Sequence, residues 1–436
     1  MNGVHLQVFL LVVALLLIDL YVLSGLKGAS KKWKFLQKKR FPVYYWMFSI
    51  FLIADLFFVV YVKMGVMGRV ALITFFFLVF LFKISFVPFI AIDDLRRLFI
   101  SIKKRIATRR GVLHTPTETT PLQPTPPQNI PDIPRSEFLM KAGLLAGVIP
   151  LAALKLNMKS GLYDYHIKRQ KLYLPNLPKS FDGIRLGQIS DIHSGSFFNK
   201  KAVLGGVEML MREKTDFIFF TGDLVNSMSK EVKDYIHIFN KVKAPLGVYS
   251  CLGNHDYGDY AWWPNEAAKQ KNLEEIIDAH KTLGWDLLMN ENRRLKVDGE
   301  EIGILGIENW GELSRFQKYG RMDLAVKNTD DLPIKLLLSH DPSHWRAQVL
   351  PQYPQIDVMF SGHTHGMQMG VRTEHFQWSP IQYIYNEWAG HYHQGEQQLY
   401  VNVGYGFLNF AGRIGILPEI TIFELKAGNA PVVKQS

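Results

Sequence analysis

Three long apolar stretches open the chain, and short apolar runs separated by polar segments fill the rest. The stretches cover residues 6–26, 43–62 and 70–92. Each is close to the roughly 20 residues that carry a helix across a bilayer. The pattern therefore predicts a bundle of three transmembrane helices, and three spans in succession argue against a cleaved signal peptide. From about residue 160 the period changes. "GIRLGQIS", "DFIFFTG", "GVYSCLG", "EIGILGI", "IKLLLS", "IDVMFSG", "LYVNVG" and "EITIFEL" read as strands. Their continuous apolar character marks strands covered on both faces, as in layered α/β folds. Helical patterns fall between them over 201–212, 232–243 and 266–282.

The region between these two regimes has a character of its own. Residues 111–137 are rich in Thr and Pro and cannot bury enough apolar surface to fold, so they read as a disordered linker. Residues 138–157 form a fourth helical segment, with an apolar run over 142–156 interrupted by Pro150. Arg135 before it gives the pattern of a twin-arginine export signal with one arginine missing. The run crosses the membrane, which the positive charges before it favour, or lies in its interface, or is an ordinary packing helix of the globular domain. The organisation expected is thus a membrane domain over 1–110, the linker, this fourth helix, and a globular domain over 160–436.

Charge orients the spans. The net charge is +11, and its excess sits beside the membrane segments. Lys27, Lys31, Lys32, Lys34, Lys38, Lys39 and Arg40 follow the first stretch; Arg96, Arg97, Lys103, Lys104, Arg105, Arg109 and Arg110 follow the third. Such loops stay in the cytoplasm. This puts the N-terminus outside and makes nucleic acid an unexpected partner. If 142–156 crosses the inner (cytoplasmic) membrane, the globular domain is extracytoplasmic; otherwise it is cytoplasmic. Asp19, Asp55 and Lys83 lie inside the stretches, where a charge is costly and pairs with another. An interhelical pair of Lys83 with one aspartate is the expectation, ahead of an ion path. The single cysteine, Cys251, excludes an intrachain disulfide and a thiolate metal site.

Five short motifs close strand candidates in the globular region. "SDIH" supplies Asp191 and His193, "TGD" Asp223, and "GNHD" Asn254, His255 and Asp256. "SHDP" supplies His340, and "GHTH" His363 and His365. Ligands of α/β sheets gather beyond the carboxyl ends of strands. In extended chain, residues i and i+2 point to one side, so the D-x-H and H-x-H pairs can each face one cleft. Glycines 222, 253 and 362 permit sharp turns there. Carboxylate, imidazole and amide donors suit Mn, Fe or Zn, and the lack of thiolates argues against structural zinc. Singly these motifs are weak; five in order at strand ends are not.

This pattern resembles the calcineurin-like metallophosphoesterase superfamily, over roughly residues 180–425. Its membrane-associated bacterial branch is the nearer likeness, through "LPNLPKSFDGIRLGQISDIH", "YVNVGYG" and "PEITIFEL". The resemblance implies a four-layer α/β/β/α sandwich and two divalent metal ions. Asp191, His193 and His365 would hold one ion; Asn254, His340 and His363 the other; Asp223 would bridge them. His255 would act on the phosphoryl oxygens or the leaving group. Asp256 would orient a neighbour or cap a turn. "GDLVNSM" offers no acidic partner for His255, and Asn226 is the substitute nearby.

Two aromatic loops flank these motifs. One carries Tyr257, Tyr260, Trp262 and Trp263; the other Phe376, Trp378, Tyr383, Tyr385 and Trp388. They form a substrate rim that takes an acyl chain or dips into the membrane interface, or they pack on the domain; both readings stand. His391 and His393 have the spacing of a metal pair and read as an exposed loop pair. The chain is expected to hydrolyse a phosphomonoester, phosphodiester or pyrophosphate bond, of a small molecule, a lipid or a lipid-linked nucleotide. The competing class is a membrane scaffold or sensor that keeps a silent metal site. The full ligand set with His255 speaks against it.

Overall fold

A computed structural model of the chain describes residues 3–28, 33–61, 66–112, 136–159, 161–373, 376–408 and 410–430. It divides into two compact units, Met1–Lys155 and Leu156–Ser436. The Thr/Pro-rich linker falls almost wholly on 113–135, outside the described residues.

The first unit is helical. It comprises α1 (Gly3–Gly28), α2 (Phe41–Tyr61), α3 (Val66–Val112) and α4 (Glu137–Lys159). Leu72–Ala107 within α3 is long and apolar enough to cross a membrane by length and composition. α3 does not end where the apolar stretch ends. Arg96 and Arg97 ride on the helix, paired one turn back with Asp93 and Asp94. The basic segment expected as a loop is thus a helical extension, stabilised by i,i+3 pairs. Val22, Leu23, Phe41, Phe86, Ile90 and Met140 join all four helices in one core. Gly143 and Gly147 of α4 lie against Phe86 and Phe82 so closely that an added Cβ would sit 2.5 and 2.6 Å from those rings. Small residues at four-residue spacing allow this approach.

One charged cluster pins the bundle. Lys83 Nζ lies 2.6 Å from Asp19 Oδ1. The same oxygen accepts bonds from Tyr45 (2.7 Å) and Ser49 (2.9 Å). The pair joins α1 to α3, with α2 supplying the hydroxyls. Asp55 takes no part; it is buried, and its Oδ2 has no partner among the described residues.

The second unit is built on two six-stranded sheets. The strands are β1 (His166–Leu174), β2 (Arg185–Ile189), β3 (Phe217–Thr221), β4 (Val248–Cys251), β5 (Asp286–Leu287), β6 (Glu291–Val297) and β7 (Glu300–Gly306). They continue as β8 (Lys335–Leu338), β9 (Val358–Ser361), β10 (Val371–Arg372), β11 (Gln377–Trp378), β12 (Gly390–Gln394), β13 (Gln397–Val401) and β14 (Glu419–Ala427). One sheet runs β1-β14-β2-β3-β4-β5, the other β12-β13-β9-β8-β7-β6; β10 and β11 form a small ribbon. Side chains alternate across each strand. Phe217 and Phe219 of one sheet meet Leu336, Leu338, Val358 and Phe360 of the other in a shared core. The Phe219 and Phe360 rings are 5.1 Å apart, edge to face. The opposite parity faces helices: Leu337 and Met359 pack with Trp345 and Val349, and Phe220 packs on Trp285 after the Glu266–Leu283 helix. This is the four-layer α/β/β/α order.

The 232–243 helix is not continuous. Two four-residue helices, Lys230–Lys233 and Ile236–Phe239, replace it. Tyr235 between them turns inward, with its hydroxyl on the Phe197 carbonyl and its ring on the Phe197 ring.

Candidate metal centre

The parallel strands β2, β3, β4, β8 and β9 end on one side of the unit, and each hands its chain to one motif. The ligand pairs are not extended there. Asp191, His193, Asp223, His363 and His365 all have positive φ, between 47° and 72°. Non-glycine residues adopt this left-handed conformation at a cost of order 1–3 kcal/mol each, and cluster so at functional sites. The i, i+2 argument from extended chain is therefore corrected: tight left-handed turns past the strand ends aim the side chains. Gly222 contributes a turn of its own, with φ 95°. Gly362 contributes room instead, since a Cβ there would lie 2.1 Å from Asp191 Oδ2.

Two groups result, buried except for the half-buried His363. Asp191, His193 and His365 form one; Asp223, His340 and His363 the other. Within each, one donor atom per residue lies within 4.8 Å of the others. Asp223 faces both: its Oδ2 is 3.5 Å from His193 Nε2 and 3.1 Å from His340 Nε2. His193 Nε2 and His365 Nε2 are 3.0 Å apart. Asn254 Oδ1 joins the second group, 2.8 Å from His363 Nδ1.

The donor chemistry fits divalent metals. Burial lowers the His193 pKa to about 3 and the His363 pKa to about 4, and takes His365 well below its usual value. These rings are neutral and present lone pairs. Burial also raises Asp191 to about 7. Burial opposes charge on His340, yet Asp223 carries it up to about 10. Burial opposes charge on Asp223 too, and His340 and His255 hold it well below the carboxylate range. Lone pairs converging in a dry pocket are an arrangement that a cation satisfies.

Neighbouring groups fix which atom faces inward. His340 Nδ1 donates to the Thr221 carbonyl at 2.7 Å, leaving Nε2 toward Asp223. His363 Nε2 meets the Tyr385 hydroxyl at 2.8 Å, and that hydroxyl donates on to Asp341 Oδ2 at 3.3 Å. Asn254 Nδ2 donates to the Tyr260 hydroxyl at 2.9 Å, which turns Oδ1 inward. Such outer partners orient metal ligands. Tyr260 and Tyr385 were legible only as loop aromatics; their roles come from the fold.

Asp256 lies behind the centre, fully buried. Its Oδ2 accepts from the backbone N–H of Asp223 (3.0 Å) and Gly253 (2.9 Å). Its Oδ1 accepts from Leu224 (2.9 Å) and Val225 (3.3 Å). It closes its own turn through Gly253 and ties that turn to the loop after β3. His255 lies beside the first group, its ring 4.9 Å from His193 and 4.4 Å from Tyr260. Its Nδ1 donates to the Asn226 backbone carbonyl at 2.7 Å. Asn226 thus supports His255 through its main chain, while its side chain bonds Ser196. Glu231 anchors the same loop, accepting from Asn226 N at 2.6 Å.

The aromatic loops divide. Tyr257 is only 5% exposed, with its hydroxyl on Glu308, so it is not a rim residue. Trp388 is buried, and Trp263 is half-buried with its indole N–H on Gly258. Trp262, Phe376, Trp378 and Tyr383 are exposed. His391 and His393 lie on edge strand β12, their rings 6.4 Å apart. His391 sits between Gln170 and Gln398, apart from both metal groups.

The strand ends and the donor groups define a metallophosphoesterase domain. Residues 184–367 match the family described as calcineurin-like phosphoesterase. Residues 6–162 match the probable calcineurin-like phosphoesterase transmembrane domain. The chain belongs to the calcineurin-like phosphoesterases and is a membrane protein whose transmembrane domain precedes the metallophosphoesterase domain. Such enzymes use divalent metals. It is 29% identical over 259 residues to an uncharacterized metallophosphoesterase of Bacillus subtilis, covering 58% of this chain and 82% of that one. It is 29% identical over 257 residues to a transmembrane protein with metallophosphoesterase domain of Danio rerio, covering 57% of this chain and 55% of that one. It is 27% identical over 236 residues to the UDP-2,3-diacylglucosamine pyrophosphatase LpxG of Chlamydia trachomatis, covering 45% of this chain and 68% of that one.

Proposed function

We propose that this protein is a membrane-anchored hydrolase that uses two divalent ions to cleave a phosphomonoester, phosphodiester or pyrophosphate bond of an amphiphilic substrate, a lipid or lipid-linked nucleotide. The observation that carries it is the pair of buried donor groups with Asp223 between them. Asp191, His193 and His365 would hold one ion; Asn254, His340 and His363 the other. Two such ions lower the pKa of water and clamp the oxygens of an in-line displacement. The chain's own part is to hold the seven donors, exclude water and supply His255. With Nδ1–H committed to the Asn226 carbonyl, His255 Nε2 is the atom that meets a phosphoryl oxygen or hands a proton to the leaving group.

Two features support an amphiphilic substrate. After His363 and His365 the chain exposes Met367, Val371, Phe376, Trp378, Tyr383 and Ile384 within one excursion. Trp and Tyr favour the membrane interface, and the chain carries its own anchor. The relative from Chlamydia trachomatis is, by its name, a pyrophosphatase of a diacylated sugar nucleotide.

The test uses full-length protein purified in detergent. Bound metal is measured, and bis(p-nitrophenyl) phosphate and p-nitrophenyl phosphate are assayed with Mn²⁺. The wild type should turn over at least one of them, His255→Ala should lose about 10²-fold or more while keeping metal, and Asn254→Ala should lose both. Equal rates in all three proteins would reject these assignments.

A further inference from the structure

Arg315 is a cation at the mouth of a site built for cations. It is exposed on the long connection from β7 to β8. No carboxylate among the described residues forms an ion pair with it, although most arginines of this unit have one. Its position is fixed from two sides. The guanidinium lies 4.7 Å over the Phe316 ring, and that ring stands edge-on to His363 at 4.9 Å. It also stands beside the hydroxyl of Tyr385, which holds His363, and its charge reaches Tyr260, which holds Asn254. Together with Asn254, Tyr260 and Asn309 it lines a small recess of about 10 Å³, whose one carboxylate, Asp259, is paired with Lys269.

The electrostatics of this placement call for an anion. Two dications, once held against the carboxylates of Asp191 and Asp223, would leave the centre positive and would repel a further cation beside it. No ion pair among the described residues offsets that repulsion at Arg315. A ligand does, if it carries negative charge beyond the phosphoryl group engaged by the metals. The planar guanidinium fork suits phosphate oxygens, and a ring beneath it keeps it flat and in place.

We infer that Arg315 binds the second phosphate of a pyrophosphate-linked substrate and so selects that linkage over an isolated phosphoester. The inference rests on the phosphoesterase reading of the same centre. The reaction adds one water across the P–O–P link. The water oxygen bonds to the attacked phosphorus, and the bridging P–O bond breaks with its electron pair going to the departing phosphate. The water's hydrogens end on the products or in solvent. Arg315 meets the charge that develops on the departing phosphate.

The experiment compares Arg315→Ala and Arg315→Lys with wild type, full length in detergent with Mn²⁺. The probes are UDP-glucose, a pyrophosphate diester, and bis(p-nitrophenyl) phosphate, which has one phosphorus. Arg315→Ala should lower kcat/KM for UDP-glucose about 10- to 150-fold, the range of one charge-assisted contact, and for the single-phosphorus diester less than about 3-fold. Arg315→Lys should fall between. Calorimetry on Mn²⁺-loaded His255→Ala protein, which is expected to keep its metal and turn over slowly, gives a readout independent of turnover: adding Arg315→Ala should weaken imidodiphosphate at least about 10-fold and leave inorganic phosphate within about 3-fold. Equal losses on both substrates, or none, overturn the inference. Wild-type cleavage of the diester but not of UDP-glucose overturns it while leaving the phosphoesterase reading intact. Cleavage of neither overturns both.

Discussion

Asp256→Asn is the most exacting substitution this site offers. The change removes a charge, keeps the shape, and alters no side-chain atom proposed to hold metal; its contact with Asp223 is through that residue's backbone N–H. The Asp256 oxygens each accept two backbone N–H bonds, from Asp223 and Gly253 on one side and Leu224 and Val225 on the other. A side-chain amide has one acceptor atom where the carboxylate has two. Whichever way the new amide turns, its NH₂ faces two N–H donors, so two charge-assisted bonds are lost in a buried place. At about 1.5–3 kcal/mol each, the loss is about 3–6 kcal/mol. Part of it falls on the whole unit and part on local opening of the 222–225 turn. Hydrogen–deuterium exchange of that turn in full-length protein measures the local part. Its opening equilibrium should rise at least about 10-fold, with about 10⁴-fold as the ceiling if the whole loss were local, and metal affinity should fall with it, because Asp223 rides on the turn. Unchanged protection of 222–225 with unchanged metal content would refute the reasoning.

Three further outcomes follow from other parts of the molecule. Gly362→Ala places a Cβ 2.1 Å from Asp191 Oδ2, so it should lose metal at one site with the fold retained by circular dichroism; full metal content would contradict it. Lys83→Met leaves Asp19 buried without its cation, which should cost the bundle about 3–5 kcal/mol. Asp19→Asn in the same chain should restore much of this, and a double variant no more stable in detergent than the single one would contradict the pairing. A topology reporter fused near residue 165 should be active only outside the cytoplasm, as follows if α4 crosses the membrane after the basic end of α3; a cytoplasmic signal would reverse the orientation.

How much of this was legible in the sequence depended on where a residue sits in the layers. The strands read correctly, such as β3 and β9, lie inside the sheets and are apolar throughout. Those missed are at or near the rims. β1 reads HIKRQKLYL and β6 ENRRLKV, and both are outermost, so solvent takes one side and the apolar signal vanishes. The seven proposed donors stood out in the sequence because they close apolar runs in a fixed order. How they are aimed did not, since five of them sit in left-handed turns that no local pattern announces. Tyr257 and Trp262, five residues apart, looked alike; only packing buries one and leaves the other 63% exposed. The support of His255 by a main-chain carbonyl could not be read at all, because every residue carries that group.

The central claim is that one centre holds two metal ions through seven named residues. Metal counting tests it most directly: inductively coupled plasma mass spectrometry on full-length protein, beside Asp223→Asn, His365→Ala and His340→Ala. The account predicts two divalent ions per chain in the wild type, about one in each histidine variant, and fewer than one in Asp223→Asn, whose side chain faces both groups. Two ions retained in all three variants, or none in the wild type supplied with Mn²⁺, Fe²⁺ or Zn²⁺, would contradict it.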